Sequence, residues 1–89
     1  MMERELLLTN RLGLHARASA KLVQAMSRYR STVTLAAKGR EVNAKSIMGV
    51  MLLAAGPGTS VLLRADGDDA AAAIEEATAL FERRFDEDS

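Results

Sequence analysis

His15 is the only histidine in this 89-residue chain, and it stands two residues before an arginine. Its context is Gly13-Leu14-His15-Ala16-Arg17-Ala18-Ser19-Ala20-Lys21-Leu22, a glycine turn running into a helical pattern. A neutral imidazole carries a ring lone pair that can act as a nucleophile. A helix beginning at Ala16 makes His15 its N-cap and leaves the N–H groups of Ala16 and Arg17 without intrahelical acceptors. Those amides and the positive end of the helix dipole suit a bound phosphate. The dipole supplies only about 0.3–1 kcal/mol per nearby charge. The Arg17 guanidinium adds charge-assisted hydrogen bonds, about twice as strong as neutral ones. The same field disfavours imidazolium and so keeps the lone pair available. Ala16, Ala18 and Ala20 put little bulk around the ring, so a partner's active site can reach it. The chemistry implied is acceptance of a phosphoryl group followed by stabilisation of its charge. A lone histidine in a small domain is ordinarily a surface or boundary residue; its place at a helix start with Arg17 nearby is what sets this one apart.

Composition narrows the alternatives. Cysteine is absent, so disulfides and cysteine metal sites are excluded, and one histidine cannot build a His-rich site. Asp66, Asp68 and Asp69 lack the pattern of a calcium loop. No metal and no cofactor is therefore expected. Lys and Arg total 12, as do Asp and Glu, and this balance argues against a dedicated nucleic-acid binder. Charge is nonetheless uneven. Arg11 to Arg30 holds five basic residues and no acidic one, whereas the tail Phe85-Asp86-Glu87-Asp88-Ser89 is acidic. A basic surface of this kind suits an acidic protein partner. No apolar run approaches the roughly 20 residues of a membrane span, and the first residues lack a signal-peptide layout. The expectation is a cytoplasmic monomer that does not enter the membrane.

The elements that must position these residues follow from periodicity. Glu3 to Thr9 reads as a strand. From Ala16 to about Tyr29, Ala18, Leu22, Met26 and Tyr29 recur at helical spacing, with Val23 widening the stripe. Ser31 to Ala37 alternates, with Val33, Leu35 and Ala37 inward. Lys38-Gly39 is a two-residue connection to a short strand, Arg40 to Asn43. Ser46 caps a helix over Ile47 to Leu53, and Gly56-Pro57-Gly58 ends it. Thr59 to Ala65 alternates again. Asp66 to Asp69 turns the chain and places acids at the start of a helix from Ala70 to about Phe85. The stripe of that helix is Ala70, Ala73, Ile74, Ala77, Leu80 and Phe81. Residues 1–89 thus form one α+β domain of order βαββαβα. With one apolar face per strand, the economical solution is a four-stranded antiparallel sheet carrying three helices on one face. A domain of this size buries only roughly 60–65% of its unfolded surface.

The short helix is apolar nearly all round: Ile47, Met48, Val50, Met51, Leu52 and Leu53. Two layers can bury only one side of it. The remainder should form an exposed apolar patch of the kind that marks a docking surface. Methionine adapts its shape, which suits a site meeting several partners.

Two blocks carry a family resemblance. Gly13-Leu14-His15-Ala16-Arg17, continued by Ala20-Lys21-Leu22-Val23, resembles the phosphorylation segment of the HPr family, the histidine-containing phosphocarriers of the bacterial phosphoenolpyruvate-dependent phosphotransferase system. Val42-Asn43-Ala44-Lys45-Ser46-Ile47-Met48-Gly49-Val50-Met51 resembles that family's regulatory segment, and the two are in register over nearly the whole chain. The resemblance implies an open-faced sandwich fold. It implies that His15 accepts a phosphoryl group on Nδ1 from Enzyme I and passes it to a histidine of an Enzyme IIA component, with Arg17 and the Ala16 amide holding the phosphate. It makes Ser46 the target of HPr kinase/phosphorylase where that enzyme exists. A phosphate there adds about −1.5 to −2 charges at a helix N-terminus, a tolerated place, and repels an acidic Enzyme I. The expected partner surface is Leu14, Ala20, Lys21, Ile47, Met48 and Met51. By the same resemblance the chain is a stoichiometric carrier rather than a turnover enzyme, and its partners supply Mg²⁺ and the remaining catalysis. Many family members carry proline where this chain has Ala18, an excellent helix former, so the helix should still begin there. A nitrogen-related branch of the family shares the His block and regulates through protein contacts; it is the alternative to a role in sugar uptake. A small RNA-binding domain has a similar element order but stacks bases on sheet aromatics. Here Tyr29, Phe81 and Phe85 all fall on helical segments or their ends.

Overall fold

Val33, Leu35 and Ala37 alternate with the less buried Thr34 and Ala36, and Val61, Leu63 and Ala65 alternate with Leu62 and Arg64. This period of two sorts the side chains to two faces of one sheet. The computed structural model describes residues 1–87. Its elements are β1 (Met2–Leu7), α1 (Ala16–Met26), β2 (Thr32–Ala37), β3 (Arg40–Asn43), α2 (Ile47–Leu52), β4 (Ser60–Asp66) and α3 (Ala70–Glu82). The strand order is β1-β4-β2-β3, with every neighbouring pair antiparallel. Leu35 stands opposite both Leu63 and Val42, and Leu6 opposite Val61, so the apolar rows align across the sheet. The outer face mixes apolar and charged residues, and Arg64 there bridges Glu3 and Glu41. The architecture is the expected βαββαβα open-faced sandwich.

The helices close the inner face. α1 buries Ala18, Ser19, Leu22, Ala25 and Met26, and α3 buries its complete expected stripe. Burying a side chain such as Leu22 stabilises the fold by about 1.5–3 kcal/mol. α1 ends earlier than its stripe suggested. Ser27 is its C-cap, and the amides of Arg28 and Tyr29 then bond to Ala25 and Met26, tightening the last turn. Tyr29 therefore follows the helix and packs half-buried against the core. Lys38 and Gly39 both have positive φ, 55° and 77°, as a two-residue hairpin turn demands.

α3 begins at Ala70 behind an acidic residue, as expected, but ends early. At its start, Asp69 makes no side-chain cap; its carboxylate accepts instead from the amides of Arg30 (2.8 Å) and Ser31 (3.0 Å) and from the Ser31 hydroxyl (2.5 Å). These bonds staple the helix to the α1–β2 connection. They hold the Asp69 carboxyl down at about 2, the Ser31 hydroxyl contributing most and the Arg30 amide next. At its end, α3 stops at Glu82 and does not run to Phe85. Arg84, Phe85 and Asp86 take φ of 55°, 54° and 64°, a left-handed turn that costs L residues about 1–2 kcal/mol apiece. The turn swings Phe85 into the core, 1% exposed, with its ring 5.1 Å from that of Phe81.

Candidate functional site

Three short-range choices place His15. Gly13 has φ +66°, and a Cβ there would lie 2.3 Å from the Ala55 carbonyl oxygen. The loop thus presses against the segment following α2, and the Leu14 amide donates to that same oxygen at 2.9 Å. Leu14 is the anchor: it is 4% exposed and belongs to the core. His15 follows as the N-cap of α1, with extended backbone and no side-chain cap. Its carbonyl accepts from the Ser19 amide, and the Ser19 hydroxyl bonds back to the Leu14 carbonyl. The amides of Ala16 and Arg17 have no acceptor among the described residues. This is the polarity that a phosphate needs.

The ring is partly exposed, its side chain at 28%. Nδ1 lies 3.1 Å from the Gly13 carbonyl oxygen, and Nε2 lies 3.4 Å from Oε2 of Glu87. The Gly13 carbonyl also accepts from Nδ2 of the fully buried Asn10 at 2.8 Å. The same Nδ2 reaches Oε1 of Glu87 at 3.2 Å. Both neighbours are acceptors, so the amide nitrogen and not its oxygen fits this place. Asn10 looks in the sequence like a turn residue and nothing more. Glu87 carries no local signal at all, being separated from Asn10 by 77 positions.

Arg17 is the second residue of α1, and its exposed side chain makes no hydrogen bond to another described residue. Ala16 is exposed and Ala20 half-buried, whereas Ala18 is fully buried and so borders the core, not the ring. Lys21 donates to the Phe85 carbonyl at 2.8 Å and meets Asp86 at 3.4 Å. The acidic tail therefore does touch the basic segment; Asp88 and Ser89 lie outside the described residues. Asp86 sits below the usual carboxylate range because Arg83 and then Lys21 bond to it.

α2 divides as its pattern requires. Val50 and Leu53 are buried, while Ile47, Met48, Met51 and Leu52 are 42%, 76%, 42% and 60% exposed. Leu12, 61% exposed, adds to the apolar surface and was not singled out by its spacing. Leu14 is the correction: as a core residue it has almost no surface to offer a partner. Ser46 caps α2, its hydroxyl accepting from the Gly49 amide at 3.1 Å. Among the described residues no cluster of three or more metal-capable side chains occurs, and no helix is long and apolar enough to cross a membrane.

Comparison with known proteins finds relatives over the whole chain. A family model described as "PTS HPr component phosphorylation site" matches residues 2–83. The chain is 62% identical over its 89 residues to the phosphocarrier protein HPr of Xylella fastidiosa (strain 9a5c), covering all of both chains. It is 36% identical to the phosphocarrier protein NPr of Shewanella violacea, covering 99% of this chain and 97% of that one. Among solved structures, HPr-C-His of Thermoanaerobacter tengcongensis superposes with a TM-score of 0.96 at 40% identity over all of both chains. A structure titled as an HPr dimer from the same organism gives 0.79 at 41% identity, covering 98% of this chain and 100% of that one.

Proposed function

The chain belongs to the HPr family of phosphotransferase-system phosphocarriers, which are carriers rather than catalysts, and on that premise we propose that it takes a phosphoryl group from Enzyme I onto Nδ1 of His15 and delivers it to Enzyme IIA components. In the transfer, the ring holds its proton on Nε2 and turns Nδ1 away from the Gly13 carbonyl. The Nδ1 lone pair attacks phosphorus, a P–N bond forms, and the donor's bond to phosphorus breaks with its electron pair leaving on the donor. No proton leaves the ring, which becomes a phosphorylated imidazolium. Arg17 and the Ala16 and Arg17 amides neutralise the added oxygens. The reading is carried by one observation: the only histidine is a partly exposed N-cap whose neighbouring amides lack acceptors among the described residues.

Residues 1–89 act as one cytoplasmic carrier domain and as a monomer. Ile47, Met48 and Met51, with Ala20 and Lys21, form the partner surface. Ser46 is the regulatory site for HPr kinase/phosphorylase in a cell that makes it. The similarity to an NPr protein favours a second reading, a nitrogen-related carrier regulating through protein contacts. Phosphoenolpyruvate and purified Enzyme I should give an acid-labile, base-stable phosphohistidine that His15→Ala abolishes. Label retained in that variant would remove His15 as the acceptor. Comparing delivery to sugar-type and nitrogen-type Enzyme IIA proteins decides the branch.

A further inference from the structure

Both ring nitrogens of His15 face acceptors, the Gly13 carbonyl and the Glu87 carboxylate. A neutral imidazole has one N–H and can satisfy only one of them. The two contacts belong to a single ring orientation. Turning Nδ1 out from Gly13 necessarily carries Nε2 away from Glu87. The orientation that holds both contacts therefore hides the atom that must attack phosphorus.

Glu87 is delivered to the ring by a dedicated piece of chain. The left-handed turn over Arg84–Asp86 reverses the backbone after α3. Phe85 pins it in the core, Lys21 holds the Phe85 carbonyl, and Arg83 braces Asp86 at 3.0 Å. Asn10 then fixes one carboxylate oxygen of Glu87. The other, Oε2, is buried without a hydrogen bond among the described residues and lies 3.4 Å from His15 Nε2. A carboxylate oxygen desolvated in this way is costly unless a cation or donor faces it.

We propose that Glu87 is an internal latch on the phosphoryl site. It holds the unphosphorylated ring with Nδ1 turned in, and it is expelled when His15 takes up phosphate, since the ring has turned and two anions cannot share the place. By linkage, whatever factor the latch contributes to the unphosphorylated form is subtracted from phosphoryl uptake. This inference rests on the carrier reading of His15.

The test uses the full-length chain, Glu87→Gln, and a chain ended after Asp86; the last two retain Phe85 and its anchors. Glu82→Gln, which removes an equal charge from an exposed helix end, is the control. The phosphotransfer equilibrium with phosphorylated Enzyme I should move toward the carrier by about two- to fivefold in both tail variants, the range of one modest hydrogen bond at a partly exposed site. It should not move in the control. In the unphosphorylated protein, Glu87→Gln should shift the His15 ring-proton and Asn10 side-chain amide resonances and leave those of Ser46 in place. An unchanged or lowered equilibrium, an equal gain in Glu82→Gln, or unmoved ring resonances would each overturn the latch. Absence of any label on His15 in the unaltered chain strikes the carrier reading instead, and the ring resonances then judge the contact by themselves.

Discussion

Asn10 and His15 meet at one acceptor: Nδ2 of Asn10 and Nδ1 of His15 lie 2.8 Å and 3.1 Å from the Gly13 carbonyl oxygen. A buried side chain thus sets the position of the loop atom on which the reactive ring rests. Asn10→Ala should cost about 1–3 kcal/mol, the penalty for stripping donors from buried acceptors. Asn10→Asp should cost more, since an oxygen would then face both the Gly13 carbonyl and Glu87. Urea midpoints measure both, and phosphoryl uptake should slow in each. A variant as stable as the parent would show that the loop holds without Asn10.

Gly13→Ala tests the contact with the segment after α2. The new Cβ meets backbone, 2.3 Å from the Ala55 oxygen and 2.8 Å from Gly56 Cα, at a φ that disfavours L residues. Neither atom can swing aside as a side chain would. A loss of at least about 1–3 kcal/mol in the denaturation midpoint is expected.

Arg17→Ala should separate chemistry from stability. The side chain is exposed, so the melting midpoint should change by no more than about 0.5 kcal/mol. Loss of a charge-assisted bond to phosphate is worth about 1.5–3 kcal/mol, and uptake should fall roughly 10–100-fold. Arg17→Lys should restore charge without the planar fork and recover only part of the rate.

Acid should weaken the fold through Asp69. Its carboxyl titrates at about 2 in the folded chain against 3.8 ordinarily, so between those values the unfolded chain binds more protons. The stabilisation is fully present above about pH 4 and is lost as pH falls toward 2. Asp86, lowered by Arg83 and Lys21, adds in the same direction. Urea midpoints between pH 7 and pH 2 should drop less steeply in Asp69→Asn, which should also be less stable at pH 7. Parallel curves would assign the acid sensitivity elsewhere.

Ser46 can be divided into cap and switch. Ser46→Ala removes the acceptor for the Gly49 amide and should cost about 0.5–2 kcal/mol. Ser46→Asp keeps a capping oxygen, so the midpoint should stay near that of the parent while transfer from Enzyme I slows. Undiminished transfer would dispose of charge repulsion as the means of control.

The helical and strand patterns were legible wherever one face alone is buried. The stripes of α1 and α3 and the alternation of β2 and β4 reappear as core residues with few exceptions. The places of His15 and Arg17 at the start of α1 and the Ser46 cap were legible because helix starts are marked by residue types and spacing. Two features were not. The end of α3 depends on three residues adopting the wrong hand to bury Phe85, a tertiary gain that overrides local preference. Asn10 and Glu87 act only through neighbours brought in by the fold, and no window along the chain holds both. Leu14 misled because its position in the His block suggests a surface role, whereas the backbone turns it inward.

The press of Gly13 on Ala55 has a genetic corollary. In the proposed carrier role every donor and recipient engages an imidazole seated on that one abutment, so a change at Ala55 or Gly56 that displaces it should degrade all exchanges together. Lesions there should be pleiotropic, while those on the exposed methionines can spare one pathway and silence another.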